Sequence, residues 1–209
     1  MLGIAAGIAL AVSPAHASLA APASRAFEVR NAGTQPVVVD VKPSARWLLI
    51  RPRQLRIAPG AHTEVTARAR AAASTRAGDH ELVVLLLARS QQPSRVPVRI
   101  RLGVRLRVRV PGRLVHRLVP RGVRVRGRPR TLLVSVANAG NVTEQLRGRV
   151  AVTLLRGGRA LSRLRYGAAR ELFPGAATVL QLPYRGGVRG RVIAVVRTGA
   201  VTRRYRLRL

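Results

Sequence analysis

The sequence predicts an all-β protein of two tandem β-sandwich domains behind a short apolar leader. Three observations carry that reading. Apolar and polar residues alternate with a period of two over long stretches, Gly- and Pro-centred turns separate those stretches, and one strand-and-turn pattern occurs twice within 209 residues.

The leader comes first. Leu2 to Val12 is an unbroken run of apolar and glycine residues. Pro14 follows, and Ala15-His16-Ala17 has the small-x-small form of a secretory cleavage site before Ser18. The run is shorter than the roughly 20 residues that a spanning helix needs. Residues 1–17 are therefore read as a signal peptide, the protein as secreted or held in the cell envelope, and the mature chain as having no stable transmembrane span.

The repeat organises the rest. Phe27-Glu28-Val29-Arg30-Asn31-Ala32-Gly33 is echoed by Val134-Ser135-Val136-Ala137-Asn138-Ala139-Gly140. Ile57-Ala58-Pro59-Gly60-Ala61-His62-Thr63 is echoed by Leu172-Phe173-Pro174-Gly175-Ala176-Ala177-Thr178. The first pair lies 107 residues apart (Asn31 to Asn138) and the second 115 (Gly60 to Gly175), so the second unit is eight residues longer. A longer hairpin is expected there. Asn31 with Gly33 and Asn138 with Gly140 read as chain reversals, since Asn and Gly both tolerate positive φ. Pro59-Gly60 and Pro174-Gly175 suit the centre of a type II turn, with proline presetting φ and glycine taking the left-handed position.

Between turns, strict alternation marks half-buried strands. Thr63 to Arg70 shows it, followed by a loop through Gly78. Ile100, Leu102, Val104, Leu106, Val108 and Val110 alternate with arginines, as do Tyr205, Leu207 and Leu209. The continuous runs Val37 to Val41, Leu82 to Ala88 and Val192 to Val196 suit strands buried on both faces or in a sandwich core. Thr198-Gly199 is a hairpin turn before the last strand. Trp47, the sole tryptophan, is expected between sheets. Domain one is placed at 18–110, a linker around Pro111-Gly112 at 111–120, and domain two at 121–209.

The Asn-x-Gly turn, the spacing Pro52, Leu55, Ile57, Pro59, Gly60, and Ala77-Gly78-Asp79-His80-Glu81 ahead of an apolar strand resemble immunoglobulin-like modules of exported bacterial proteins. The nearest groups are the periplasmic pilus chaperones and the WxL-interacting cell-surface proteins. The resemblance implies two Ig-like β-sandwich domains and a non-catalytic role in protein assembly or wall attachment. No match is found to the arginine–lysine pair with which the chaperones hold a subunit's terminal carboxylate, so no functional residue is carried over.

Composition narrows the function. Thirty-nine basic residues, of which Lys42 is the single lysine, stand against seven acids, a formal +32. With 47% apolar residues the chain is too apolar for a disordered basic tail. Without cysteine it has no disulfide or thiolate metal site. No G-x-S-x-G, Walker loop, dinucleotide fingerprint or H-E-x-x-H occurs, and no enzyme, metal or cofactor is expected. Asp79-His80-Glu81 reads as a turn ahead of a strand, and the sequon Asn141-Val142-Thr143 as an exposed turn. The candidate anion- or partner-binding residues are Arg99, Arg101, Arg105, Arg107 and Arg109 on one strand, about 6.6 Å apart at alternate positions, and Arg204, Arg206 and Arg208 on another. Other surface proteins or anionic envelope polymers are the expected partners. A basic nucleic-acid-binding protein is the alternative reading, weakened by the leader and by only 3% aromatic residues for base stacking. Non-specific nucleic-acid binding in vitro is expected on charge alone.

The protein should bind polyanions with steep salt dependence, because each neutralised phosphate releases counterions. Elution from a heparin-type column should shift strongly with ionic strength; retention equal at low and high salt would contradict this.

Overall fold

The computed structural model describes residues 7–91, 98–127 and 130–209. It is all β: no helix occurs among them. The chain divides into two compact units, with Gly112 ending the first and Arg113 opening the second.

Among the described residues the first unit holds nine strands. They are β1 (Leu10–Ser13), β2 (His16–Ala20), β3 (Ser24–Asn31), β4 (Val37–Pro43), β5 (Leu48–Arg51), β6 (Gln54–Ile57), β7 (His62–Ala69), β8 (Gly78–Ser90) and β9 (Arg99–Val110). They form two sheets, ordered β1-β3-β7-β5 and β2-β9-β8-β4-β6. One core, with Phe27, Val29, Ile50, Val65, Leu86 and Leu106 among its members, is drawn from both sheets. The second unit holds β10 (Leu118–Arg126), β11 (Thr131–Asn138), β12 (Glu144–Gln145), β13 (Val150–Arg156), β14 (Arg159–Arg165), β15 (Glu171–Leu172), β16 (Ala177–Pro183), β17 (Arg191–Thr198) and β18 (Val201–Arg208). Sheets β10-β11-β16 and β14-β13-β17-β18, with the short pair β12-β15, surround a second core that includes Leu132, Leu146, Leu154, Leu180 and Val196. Each is a sandwich in which alternate residues of both sheets face inward.

The two echoed motifs meet in space. Asn31 is buried, and its amide Nδ2 donates to the carbonyls of Gln35 (2.8 Å) and Ile57 (3.1 Å) while Oδ1 accepts from Gly33 N (3.0 Å). Its backbone N donates to Ala61 O and its carbonyl accepts from Gly60 N, both at 2.9 Å. Asn138 repeats the set: Nδ2 to Val142 O (2.7 Å) and Leu172 O (2.9 Å), Gly140 N to Oδ1 (2.9 Å), and backbone bonds with Ala176 and Gly175. Pro59-Gly60 and Pro174-Gly175 stand at the centres of turns closed by Ala61 N to Ala58 O and Ala176 N to Phe173 O, with φ +75° at each glycine.

The Asn-x-Gly segments work differently from expectation. Among the described residues no non-glycine residue has positive φ, and neither Gly33 nor Gly140 does. Those glycines are required by close approach: a Cβ on Gly33 would lie 2.6 Å from Ala9 N and Gly7 O, and one on Gly140 would strike the Val115 backbone.

The chain that presses on Gly33 belongs to the segment read as a leader. Ala32 N donates to Ala9 O and Thr34 N to Gly7 O. β1 pairs antiparallel with β3, and β2 pairs parallel with β9, so the entering strand passes from one sheet to the other. The expected cleavage point after Ala17 falls inside β2; residues 1–6 lie outside the described part. In the second unit, residues 113–117 take the same place, with Ala139 N to Arg117 O and Asn141 N to Val115 O. Part of the segment 111–120 expected as a linker is thus bonded into the second sandwich, and Leu118 to Pro120 open β10.

One further expectation is revised and another resolved. The eight extra residues lie mostly before β13, not in a hairpin: five residues separate β3 from β4, whereas eleven, including β12, separate β11 from β13. The continuous apolar runs, expected to be buried on both faces or in a sandwich core, take the second form: they are the inner strands β4, β8 and β17, with one face in the core and the other outward.

Asn31→Ala or Asn138→Ala should destabilise by roughly 2–4 kcal/mol, since two buried carbonyls lose their donor at about 1–3 kcal/mol each; urea titration measures this, and a change under 0.5 kcal/mol (on the order of a surface substitution) would contradict the clasp. A chain begun at Ser18 lacks β1 and two residues of β2. It should lose roughly 2–4 kcal/mol, because Leu10 and Val12 give up partial burial worth about 1.5–3 kcal/mol each when complete; a midpoint equal to that of the full chain would show these strands to be dispensable.

Candidate functional site

The arginines of β9 alternate as their sequence dictates. Arg99, Arg101, Arg105 and Arg109 are exposed and Arg107 is half-buried, while Val104, Leu106, Val108 and Val110 are buried. Antiparallel register with β8 decides what each meets. Arg109 lies opposite Asp79, whose carboxylate is buried; Arg109 Nε donates to Oδ1 at 2.7 Å and its terminal nitrogen to Oδ2 at 3.0 Å. Those hydrogen bonds raise the Arg109 pKa further above its ordinary value, against a smaller opposing effect of burial. Arg107 lies opposite Glu81, and Arg99 opposite Arg89, which donates to Asp40 at 2.9 Å. The stripe is therefore neutralised towards its Arg109 end, while at the other end the acid Asp40 is engaged by Arg89. Its middle members Arg101 and Arg105 sit opposite Leu87 and Val83.

Asp79, His80 and Glu81 lie inside β8 and not in a turn before it. His80 Nε2 donates to Arg76 O at 2.8 Å, and its ring meets Trp47 edge-on, centroids 5.6 Å apart. Trp47 is half-buried at the core margin, where sequence reasoning had placed it between sheets. No group of three metal-binding side chains occurs among the described residues. The sequon residue Asn141 is half-buried and occupied: its side chain donates to Arg113 O and accepts from Val115 N.

Arg204, Arg206 and Arg208 share the outer face of β18, a strand of a different sheet in the other unit, so the two stripes do not form one sheet surface. Register across β14-β13-β17-β18 builds a second face. One row reads Arg163, Thr153, Val195, Arg204, and the next Ala160, Leu155, Ile193, Arg206. Arg191 pairs with Arg208 at one end, and Arg165 and Arg197 flank Ala151 at the other. An uncharged lane is thus rimmed by arginine on both sides, and Ile193 in it is 39% exposed. β13, β14, β17 and β18 contain no Asp or Glu. Arg163, Arg165, Arg191 and Arg197 were missed as site residues; the alternation in Arg159 to Arg165 and Arg191 to Arg197 was their available signal.

The first unit also leaves a strand edge open. β2 covers β9 only from Arg105 to Arg109. Along Arg99 to Val104 no described strand pairs with the outer edge, and the inward Ile100 and Leu102 are only partly buried. An edge of this kind offers unpaired backbone N–H and C=O groups.

No protein-family model matches the chain, and no curated protein matches it. Solved structures do. The YadV chaperone superposes with a TM-score of 0.53 at 16% identity, covering 95% of this chain and 99% of that one. A complex of the Salmonella enterica SafA pilin with the SafB chaperone gives 0.52 at 14%, covering 94% and 95%. The periplasmic chaperone SfaE gives 0.51 at 11%, covering 96% and 100%. The chain thus has the two-domain, immunoglobulin-like fold of the periplasmic pilus chaperones, the first of the two groups to which its motifs bear a resemblance.

Proposed function

We propose that this is a non-catalytic, exported cell-envelope protein that binds a partner protein by accepting its extended segment along the open edge of β9. The observation that carries the reading is the half-covered β9, along whose Arg99 to Val104 edge no described strand pairs, while its other edge is fully paired with β8. A strand added there would gain main-chain hydrogen bonds, and its alternate side chains would meet two different surfaces. Inward residues would pack on Ile100 and Leu102, and outward ones would face Arg99 and Arg101. The partner segment is therefore expected to alternate apolar with polar residues, acidic ones being favoured on the outward side. The fold supports this reading, since the SafB chaperone is known in complex with a pilin. Anionic wall polymers are proposed as secondary ligands of the arginine faces.

A photo-crosslinking residue at Arg101 or Leu102 should capture a discrete exported protein in the producing cell, whereas the same residue at Arg68 on β7 should not. Adducts at Arg68 equal to those at Leu102, or none at either β9 position, would overturn the proposal.

A further inference from the structure

The outer face of β14-β13-β17-β18 presents a second feature, independent of the β9 edge. The second unit carries 22 arginines against two acids, Glu144 and Glu171, a formal +20. Glu144 is buried between His116 (3.0 Å) and Arg149 (3.2 Å), and Glu171 accepts from Gln145 at 2.6 Å on β12-β15. Neither acid belongs to the four-stranded sheet. Its arginines therefore lack the acids that temper β9.

Geometry narrows the ligand. The arginine rows of β14 and β18 are three strand spacings apart, about 14 Å. Between them lie Leu155, Ile193 and Val195 on outward positions. Arg191 and Arg208 are directly paired across strands, and like charges so placed repel. Anions distributed over a plane would relieve that repulsion at several points at once. A nucleic-acid strand offers one line of phosphates and needs aromatic platforms for its bases. This face has none: Tyr205 lies on the inward side of β18, packed against the core. Arginines around exposed aliphatic side chains suit a bilayer surface, where guanidinium groups reach the headgroups and the aliphatic residues settle at the acyl boundary.

We infer that this face docks onto an anionic phospholipid membrane surface, through Arg204, Arg206, Arg208 and Arg163 with Ile193 between them.

The test uses the full chain and vesicles of phosphatidylglycerol with phosphatidylcholine, with a thymidine oligonucleotide as competitor probe. Replacing Arg204, Arg206 and Arg208 by Gln should weaken vesicle binding about a hundredfold, at about fivefold per basic residue near an anionic surface. Replacing Arg30, Arg51 and Arg68, on the outer face of β1-β3-β7-β5, makes the same charge change and should weaken it less than about fivefold. Ile193→Asn should reduce vesicle binding without altering oligonucleotide binding. Its side chain is already exposed, so the fold should survive, and circular dichroism checks that. Equal losses from the two triples would mean that only net charge acts. A face triple that weakens oligonucleotide binding more than vesicle binding would assign the face to nucleic acid. Either result, or no effect of Ile193→Asn on vesicles, overturns the inference.

Discussion

Both sandwiches depend on a buried asparagine amide. Asn31 and Asn138 each stand at the end of a long strand and bind two carbonyls and one backbone N–H with the side chain, while the backbone bonds the Pro-Gly turn. Three segments distant in sequence are thereby held at one corner: the strand end, the turn before β7 or β16, and the entering chain packed on Gly33 or Gly140. An apolar residue there would leave carbonyls buried without donors, and a charged one would have to lose its hydration. Asparagine meets the need because one short side chain supplies two donors and an acceptor. The corner sets where each strand enters the sandwich, and hence the face each alternating residue occupies.

Much of this was legible in the sequence because it was written twice. The recurrence of Asn-x-Gly and Pro-Gly at offsets of 107 and 115 identified two units, and the period of two placed most strands. What the pattern could not show was that the two motifs touch, since pairing across 26 or 34 residues leaves no local signal. The leader shows the converse difficulty. An apolar run ending in Ala-His-Ala satisfies a cleavage rule and a first strand equally well. In the second unit Leu118-Val119-Pro120 enters as Leu10-Ala11-Val12 enters the first. Period alone also left the apolar runs open between burial on both faces and a sandwich core. A strand flanked on both sides by other strands in a sheet with one outward face can be apolar throughout, and only register reveals that Ile193 and Val195 look outward.

The same register explains why arginines of similar spacing differ in consequence. On β9, acids arrive from β8 and β4, so Arg109 is held by two hydrogen bonds and Arg99 stands opposite an arginine paired with Asp40. On β18 the neighbouring strand supplies Arg191, Ile193 and Val195. The β9 stripe is engaged internally at Arg109 and free for a partner at Arg99 and Arg101, whereas on β18 no acid of the sheet competes for the arginines. Counting arginines in the sequence treats the two alike.

Charge and the open edge are physically linked. An unpaired edge invites a second copy of the same chain as readily as a partner, and proteins commonly guard such edges with charged side chains. Two copies meeting antiparallel along Arg99 to Val104 would bring Arg99 and Arg101 of each against those of the other. A partner segment with acids at the outward positions would meet attraction instead. The difference between those two encounters is a difference of affinities built from repulsion as well as attraction. A strong excess of positive charge is then no obstacle to strand addition. It is what allows an edge to remain open in the free protein and still discriminate the strand that closes it.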